Sequence, residues 1–262
     1  MRRKVVLILA ALVVLGGMAW AAVGLGSRIQ DTVEQEQIFE RLRETTQAKS
    51  VTDLGGTSDP NGGTGDISPE NPSGSGHDIA ALQRENQDCI GWISIQGTNL
   101  DYPVMQTLED PEFYLKHNFD GDYNDHGVPF LDARCNVQTS DNLIVYGHHM
   151  ADGTMFSALH KYAEKSYWQE HPIITLETAD GASQYQVAAV MRVSGTAYET
   201  QWSIFQCINL NEAEVDQLAD HLARESLYNT GVTPLYGDKL LTLSTCEYTQ
   251  KNGRLVVIAV KQ

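Results

Sequence analysis

From residue 91 onward the chain is a succession of short β-branched or aromatic runs, each closed by glycine, proline, asparagine or aspartate. Residues 91–95, 100–105, 128–131, 142–146, 173–177 and 185–193 read as strands, and residues 239–245 and 254–260 complete a set of about eight. Three helices interrupt them. One spans residues 78–87; a second, 154–169, carries Met155, Phe156, Leu159, Tyr162 and Ala163 on one side. The third begins at Asn211, whose side chain can cap it while Glu214 reaches back as in a capping box. It continues through Val215, Leu218, Ala219 and Leu222 and stops near Asn229-Thr230-Gly231. Evenly spaced strands with few helices predict a mainly β fold, a small barrel or sandwich with helical insertions.

The preceding residues set the compartment. Met1-Arg2-Arg3-Lys4 is a basic head, and residues 5–26 follow without a charge. A stretch of that length can span a hydrocarbon core of roughly 30 Å. With the basic flank inside, everything after Gly26 faces outside. The rival is a cleavable signal peptide, and Ala19-Trp20-Ala21 resembles a cleavage site. The apolar run is longer than signal-peptide cores usually are, which favours an uncleaved anchor. Without Arg2, Arg3 and Lys4 the chain carries 15 basic against 34 acidic side chains, a charge of −19. Such an excess suits a soluble ectodomain and argues against general nucleic-acid binding, which needs clustered Lys and Arg.

Residues 29–49 are polar with Ile29, Val33, Ile38, Phe39 and Leu42 at helical intervals, and read as a juxtamembrane helix. Residues 50–77 hold 7 Gly, 3 Pro and 5 Ser, too little apolar surface to offset the entropy of ordering. They read as a spacer of about 30 Å root-mean-square reach. The expected order is a cytoplasmic head (1–4), an anchor (5–26), helix and linker (27–77) and one folded domain (78–262).

Cys89, Cys135, Cys207 and Cys246 are the cysteines. Their even number in an exported chain invites disulfides, but a domain of this size needs none. No C-x-x-C pair is present to suggest structural zinc. Cys246 differs in position: it ends the run Leu240-Leu241-Thr242-Leu243-Ser244-Thr245 and is followed by a polar connection to a strand opening with Arg254. A returning strand would bring the guanidinium near the thiol, where it favours the thiolate and can donate to an oxyanion. A buried, inert cysteine remains open on spacing alone. The thiol also needs a base. His148 and His149 follow the strand Leu143-Ile144-Val145-Tyr146 and the turn residue Gly147, while the other histidines read as solvated or capping. On extended backbone the two adjacent rings point to opposite faces, which does not choose between them.

Tyr146-Gly147-His148-His149-Met150, Met155-Phe156, Leu243-Ser244-Thr245-Cys246 and Arg254 together resemble a sortase, the Gram-positive cell-surface cysteine transpeptidase. The match covers residues 78–262. It is most similar to class B in its leading helix before Gly91-Trp92-Ile93, the Asp101-Tyr102-Pro103-Val104 strand, the Gly-His-His-Met string and the long helix from Asn211 to Tyr228 before the cysteine strand. The resemblance implies an eight-stranded sortase-type β-barrel with Cys246 as nucleophile, His148 as acid–base and Arg254 as oxyanion and substrate ligand. His149 becomes a structural neighbour; Ser244, Thr245 and Leu115 are the implied substrate-binding residues. Implied partners are exported proteins bearing an N-P-x-T or S-P-x-T type sorting signal and a peptidoglycan amine, with no cofactor.

Two tempting constellations fit poorly. Asp120-Gly121-Asp122-Tyr123-Asn124-Asp125 starts like a calcium loop but has Asp125 at its sixth position and Leu131 at its twelfth. His148, His149 and Asp152 lack both convergent spacing and a following glutamate. Competing functions are a hydrolytic cysteine peptidase, a non-catalytic adhesin and a pilin-polymerising sortase. For the last, Asp59-Pro60 is followed by Asn61 rather than the aromatic residue of a lid plug.

Overall fold

A computed structural model describes residues 30–46, 76–195, 202–247 and 252–262. Eight strands form among them: β1 (Cys89–Ser94), β2 (Asp101–Met105), β3 (Phe130–Leu131), β4 (Asn142–Tyr146), β5 (Ile173–Thr178), β6 (Gly181–Ser194), β7 (Leu240–Glu247) and β8 (Gly253–Lys261). They close into a barrel in the order β1-β2-β3-β4-β7-β8-β6-β5. Closure leaves no bare sheet edge. The expected runs fall on these strands, with ends displaced by a few residues.

Two pairings are parallel, β2 with β3 and β4 with β7, and the others are antiparallel. β7 and β8 are buried on both faces, with the helical turn at Phe156–Ala163 packed against them. The core holds Trp92, Ile93, Phe119, Leu159 and Val257, all 0% exposed. Each such side chain contributes about 1.5–3 kcal/mol through burial.

The helices depart from expectation in three places. First, 154–169 is not one helix. Phe156–Ala163 winds as a 3-10 helix and α3 (Lys165–Glu170) follows, separated by extended Glu164. The buried residues Phe156, Leu159 and Tyr162 recur every third position, a period that lines up on three residues per turn. Second, α4 (Glu212–Glu225) has the predicted capping box at Asn211 and Glu214 but ends before Tyr228. Ser226 and Leu227 leave it to pair with Val190 of β6, with Val190 N donating to Ser226 Oγ at 3.2 Å and Leu227 N to the Val190 carbonyl at 2.8 Å. α2 (Ile79–Glu85) forms where expected, capped by Asp78.

Third, the folded part begins upstream of His77. Residues 30–46 form a helix, α1, packed on the barrel with Phe39 and Leu42 at 1% and 0% exposure. Phe39 meets the Tyr102 ring at 5.1 Å, Gln35 Nε2 donates to the Gly127 carbonyl at 3.1 Å, and Arg43 Nε donates to Asp101 at 2.9 Å. The spacing of Phe39 and Leu42 was therefore a docking face as well as a helix signal. The expected anchor, residues 5–26, and spacer residues 50–75 lie outside the described residues. Among the described residues no helix is long and apolar enough to cross a membrane.

Candidate active site

Topology assembles the site. β4 and β7 are parallel, with Tyr146 beside Ser244, so the residues after β4 and the end of β7 emerge at the same end of the barrel. Gly147 N extends this ladder, donating to the Ser244 carbonyl at 3.1 Å. β8 returns antiparallel to β7 and places Arg254 directly opposite Cys246. Directly opposed side chains share a face and lie roughly 5 Å apart at Cβ. One end of three adjacent strands thus carries the histidine segment, the thiol and the guanidinium.

Cys246 is half-buried, whereas Cys89, Cys135 and Cys207 are buried; all four are free. Burial pushes the Cys89 and Cys207 thiols up to about 12 and Cys135 to about 11. These three are packing residues at neutral pH. Arg254 donates from Nη1 to the Gly253 carbonyl at 3.0 Å. Its guanidinium lies over Gly195, where an added Cβ would sit 3.4 Å from the Arg254 Cζ and 2.9 Å from the Asn252 carbonyl oxygen. Gly195 therefore gives Arg254 its seat, a role that its neighbours in the sequence do not signal.

β4 ends at Tyr146, where the sequence pattern placed it. Gly147 is needed there, because a Cβ would come within 2.6 Å of the Phe156 ring. Beyond it the chain folds back onto the 3-10 helix, with the Phe156 amide donating to the His148 carbonyl at 2.9 Å and His149 bridged to Met155. His148 Nε2 lies 2.7 Å from the Leu115 carbonyl oxygen. A carbonyl only accepts, so Nε2 carries hydrogen and Nδ1 is left to exchange a proton. Burial lowers the His148 pKa and the charge on Lys116 acts the same way, while the Leu115 carbonyl favours the charged ring. The resting imidazole is mainly neutral at neutral pH.

His149 stacks on His160, with centroids 3.8 Å apart, and burial lowers its pKa. His160 was expected to be solvated or capping; its Nε2 is 2.8 Å from the Cys246 carbonyl oxygen. Sequence offers no signal for that contact, since the two residues are 86 positions apart. Ser244 and Thr245 are each 1% exposed, and their buried hydroxyls have no hydrogen-bond partner among the described residues. Neither presents its hydroxyl at the surface, because both face packed layers of the barrel wall. Leu115 closes the short 3-10 helix Phe113–Leu115 and enters the site through its backbone carbonyl. In the acidic loop, Asp120 is paired with Arg41 at 2.7 Å and Asp125 with Lys116 at 3.2 Å.

Comparison with known proteins agrees with this geometry. The sortase domain model matches residues 93–262. The chain is 31% identical over 254 residues to sortase B of Listeria monocytogenes, covering 94% of this chain and 92% of that protein. It is 33% identical over 182 residues to sortase B of Staphylococcus aureus, covering 68% and 72% respectively. The crystal structure of Clostridium perfringens sortase B is similar at a TM-score of 0.64 and 29% identity, over 70% of this chain and 98% of that one. By family match, identity and barrel architecture, this chain belongs to the sortase family and is a sortase-type enzyme of class B.

Proposed function

We propose that this transpeptidase cleaves an N-P-x-T or S-P-x-T type sorting signal after its Thr and transfers the Thr carbonyl to a peptidoglycan amine. The observation that carries the reading is the convergence of Cys246, Arg254 and the Gly147-His148 segment at one barrel end. Nδ1 of neutral His148 takes the thiol proton as Cys246 sulfur attacks the Thr carbonyl. Arg254 donates to the oxyanion that forms. As the C–N bond breaks, His148 returns the proton to the leaving amine and a thioacyl-enzyme remains. The incoming amine loses a proton to His148, attacks the thioester and releases the thiolate, which recovers that proton. Leu115, Ser244 and Thr245 belong to the wall that receives the signal. Leu115 is half-buried at the rim, and the other two shape the strand end leading to the thiol.

The substrates on this reading are exported proteins with C-terminal signals, and the acceptor is a cross-bridge amine. Residues 5–26 would hold the enzyme in the membrane, with residues 1–4 cytoplasmic and the barrel outside. No cofactor takes part. The test is incubation with N-P-x-T and S-P-x-T peptides and triglycine, with products identified by mass. A peptide ending in Thr-Gly-Gly-Gly is expected. Hydrolysis that triglycine fails to divert would assign a peptidase instead, and transfer only to a lysine of a pilin-type protein would assign a polymerase.

A further inference from the structure

Cys246 is the penultimate residue of β7, which ends at Glu247, and strand ends are the first parts of a sheet to open. In the β4–β7 ladder the Ser244 carbonyl accepts from Gly147 N at 3.1 Å. Carbonyls alternate between the two edges of a strand, so the Cys246 carbonyl, two residues on, faces the same edge. At His149 the chain turns to bridge Met155, and the His149 side chain meets the Cys246 backbone. The His160 ring supplies the donor of defined geometry: Nε2 donates to the Cys246 carbonyl at 2.8 Å.

That ring is itself held. His149 stacks against it at 3.8 Å with 28° between planes. The 3-10 helix that carries it is seated by Phe156, Leu159 and Tyr162, each 0% exposed, and by the Tyr228 hydroxyl, which donates to the Tyr162 carbonyl at 2.8 Å. The same helix grips the other half of the chemistry, since the Phe156 amide donates to the His148 carbonyl at 2.9 Å. One rigid element therefore touches both the nucleophile's backbone and the backbone of the acid–base residue.

We propose that His160 is a positioning residue for transpeptidation: its bond to the Cys246 carbonyl fixes the end of β7, and with it the thiol, in alignment with His148. The proposal rests on Cys246 as nucleophile and His148 as acid–base. His160 acts through Cys246 without touching the substrate. Misplacement by about an ångström at a reacting centre costs up to roughly a hundredfold in rate, and a freed strand end allows that much movement.

The test uses the full-length chain with His160→Ala, His160→Gln and His160→Phe. Glutamine reaches the carbonyl with an N–H donor; phenylalanine keeps the stack on His149 but has no donor. The readouts are kcat and KM with a sorting-signal peptide and triglycine, the rate of Cys246 alkylation by iodoacetamide, and the thermal midpoint. His160→Ala and His160→Phe should lose about tenfold or more in kcat, with KM and alkylation within about twofold, because a small alkylating agent needs no alignment with His148. His160→Gln should recover to within about threefold of the original kcat. The proposal is overturned if the donorless variants keep full kcat, if Gln is as slow as Phe at a matched thermal midpoint, or if alkylation falls as much as kcat. If His160→Ala fails to fold, the contrast between Gln and Phe decides alone, with equal kcat overturning it. A Cys246→Ala enzyme that still transfers peptide overturns the underlying assignment, which a normal thioacyl adduct with indifferent His160 variants does not.

Discussion

The barrel wall and the barrel mouth hold the same side chain in opposite chemical states of usefulness. In the wall, Cys89, Cys135 and Cys207 are 0%, 4% and 3% exposed, and burial keeps their thiols protonated far into the alkaline range. At the mouth, Cys246 is half-exposed, opposite Arg254 on the neighbouring strand and close in register to the histidine segment. Sulfur chemistry does not separate these cysteines. What separates them is whether the surroundings offer a charge, a proton acceptor and an entrance.

The sharpest way to break that contrast is to move the reaction off the mouth. Cys246→Ala should abolish the covalent adduct that intact-mass measurement detects with a sorting-signal peptide, while a Cys89, Cys135 and Cys207 triple replacement that folds should keep it. An adduct mapped to any of those three residues would sink the distinction.

Within the mouth, the two adjacent histidines should also part company. His148→Ala removes the acid–base group and should cost about 10²–10⁴-fold in kcat. His149→Ala removes a ring stacked on His160 and should retain most of the turnover. A reversed order would transfer the acid–base role to His149, whose side chain also meets the Cys246 backbone.

A smaller effect separates charge from directed donation at Arg254. Loss of one oxyanion donor costs about 10²–10³-fold, which is the expectation for Arg254→Ala. Lysine keeps the charge but loses the planar fork, so Arg254→Lys should alkylate with near-original pH dependence yet transpeptidate at least roughly tenfold more slowly. Normal transpeptidation by Arg254→Lys would leave only the charge role standing.

The mildest prediction concerns the wall itself. The folded pKa values of Cys89, Cys135 and Cys207 lie above the unfolded value of about 8.5. The folded state then binds more protons, and stability falls as pH rises. The contribution is fully present below about pH 8.5 and is lost towards pH 11–12, the range that the folded thiols approach. Tyr102, pushed up to about 12 by burial, adds a loss of the same sign. Urea midpoints should therefore drop between pH 8 and pH 10.5, and drop less in the triple cysteine variant. Equal slopes would show that these thiols ionise as freely in the fold as outside it.

Local pattern and topology divide what was legible. The strands, the Asn211 cap and the place of Cys246 at a strand end were readable because turn residues, alternation and capping depend on near neighbours. The resemblance of Gly147-His148 and Ser244-Thr245-Cys246 to a known family then named the chemistry that spacing alone left open. The break at Glu164 was hidden because Phe156, Leu159 and Tyr162 would still fall within a sector of roughly 120° on an α-helix, so the same spacing suits either winding, and packing on β7 and β8 goes with the tighter one. The docking of α1 was hidden for a related reason: a polar helix with a narrow apolar stripe does not say what it lies against.

By itself, then, the sequence determined the element types and the apolar faces and singled out Cys246, His148 and Arg254 as candidates, since these follow from backbone preference and residue chemistry within a few positions. Tertiary structure alone decided which carbonyl fixes the His148 tautomer, why position 195 is glycine and that the His160 ring meets the Cys246 carbonyl. Each of those contacts joins residues far apart in the chain, and nothing encodes their meeting until the barrel closes, Gly195 reaching Arg254 through the β6–β8 pairing.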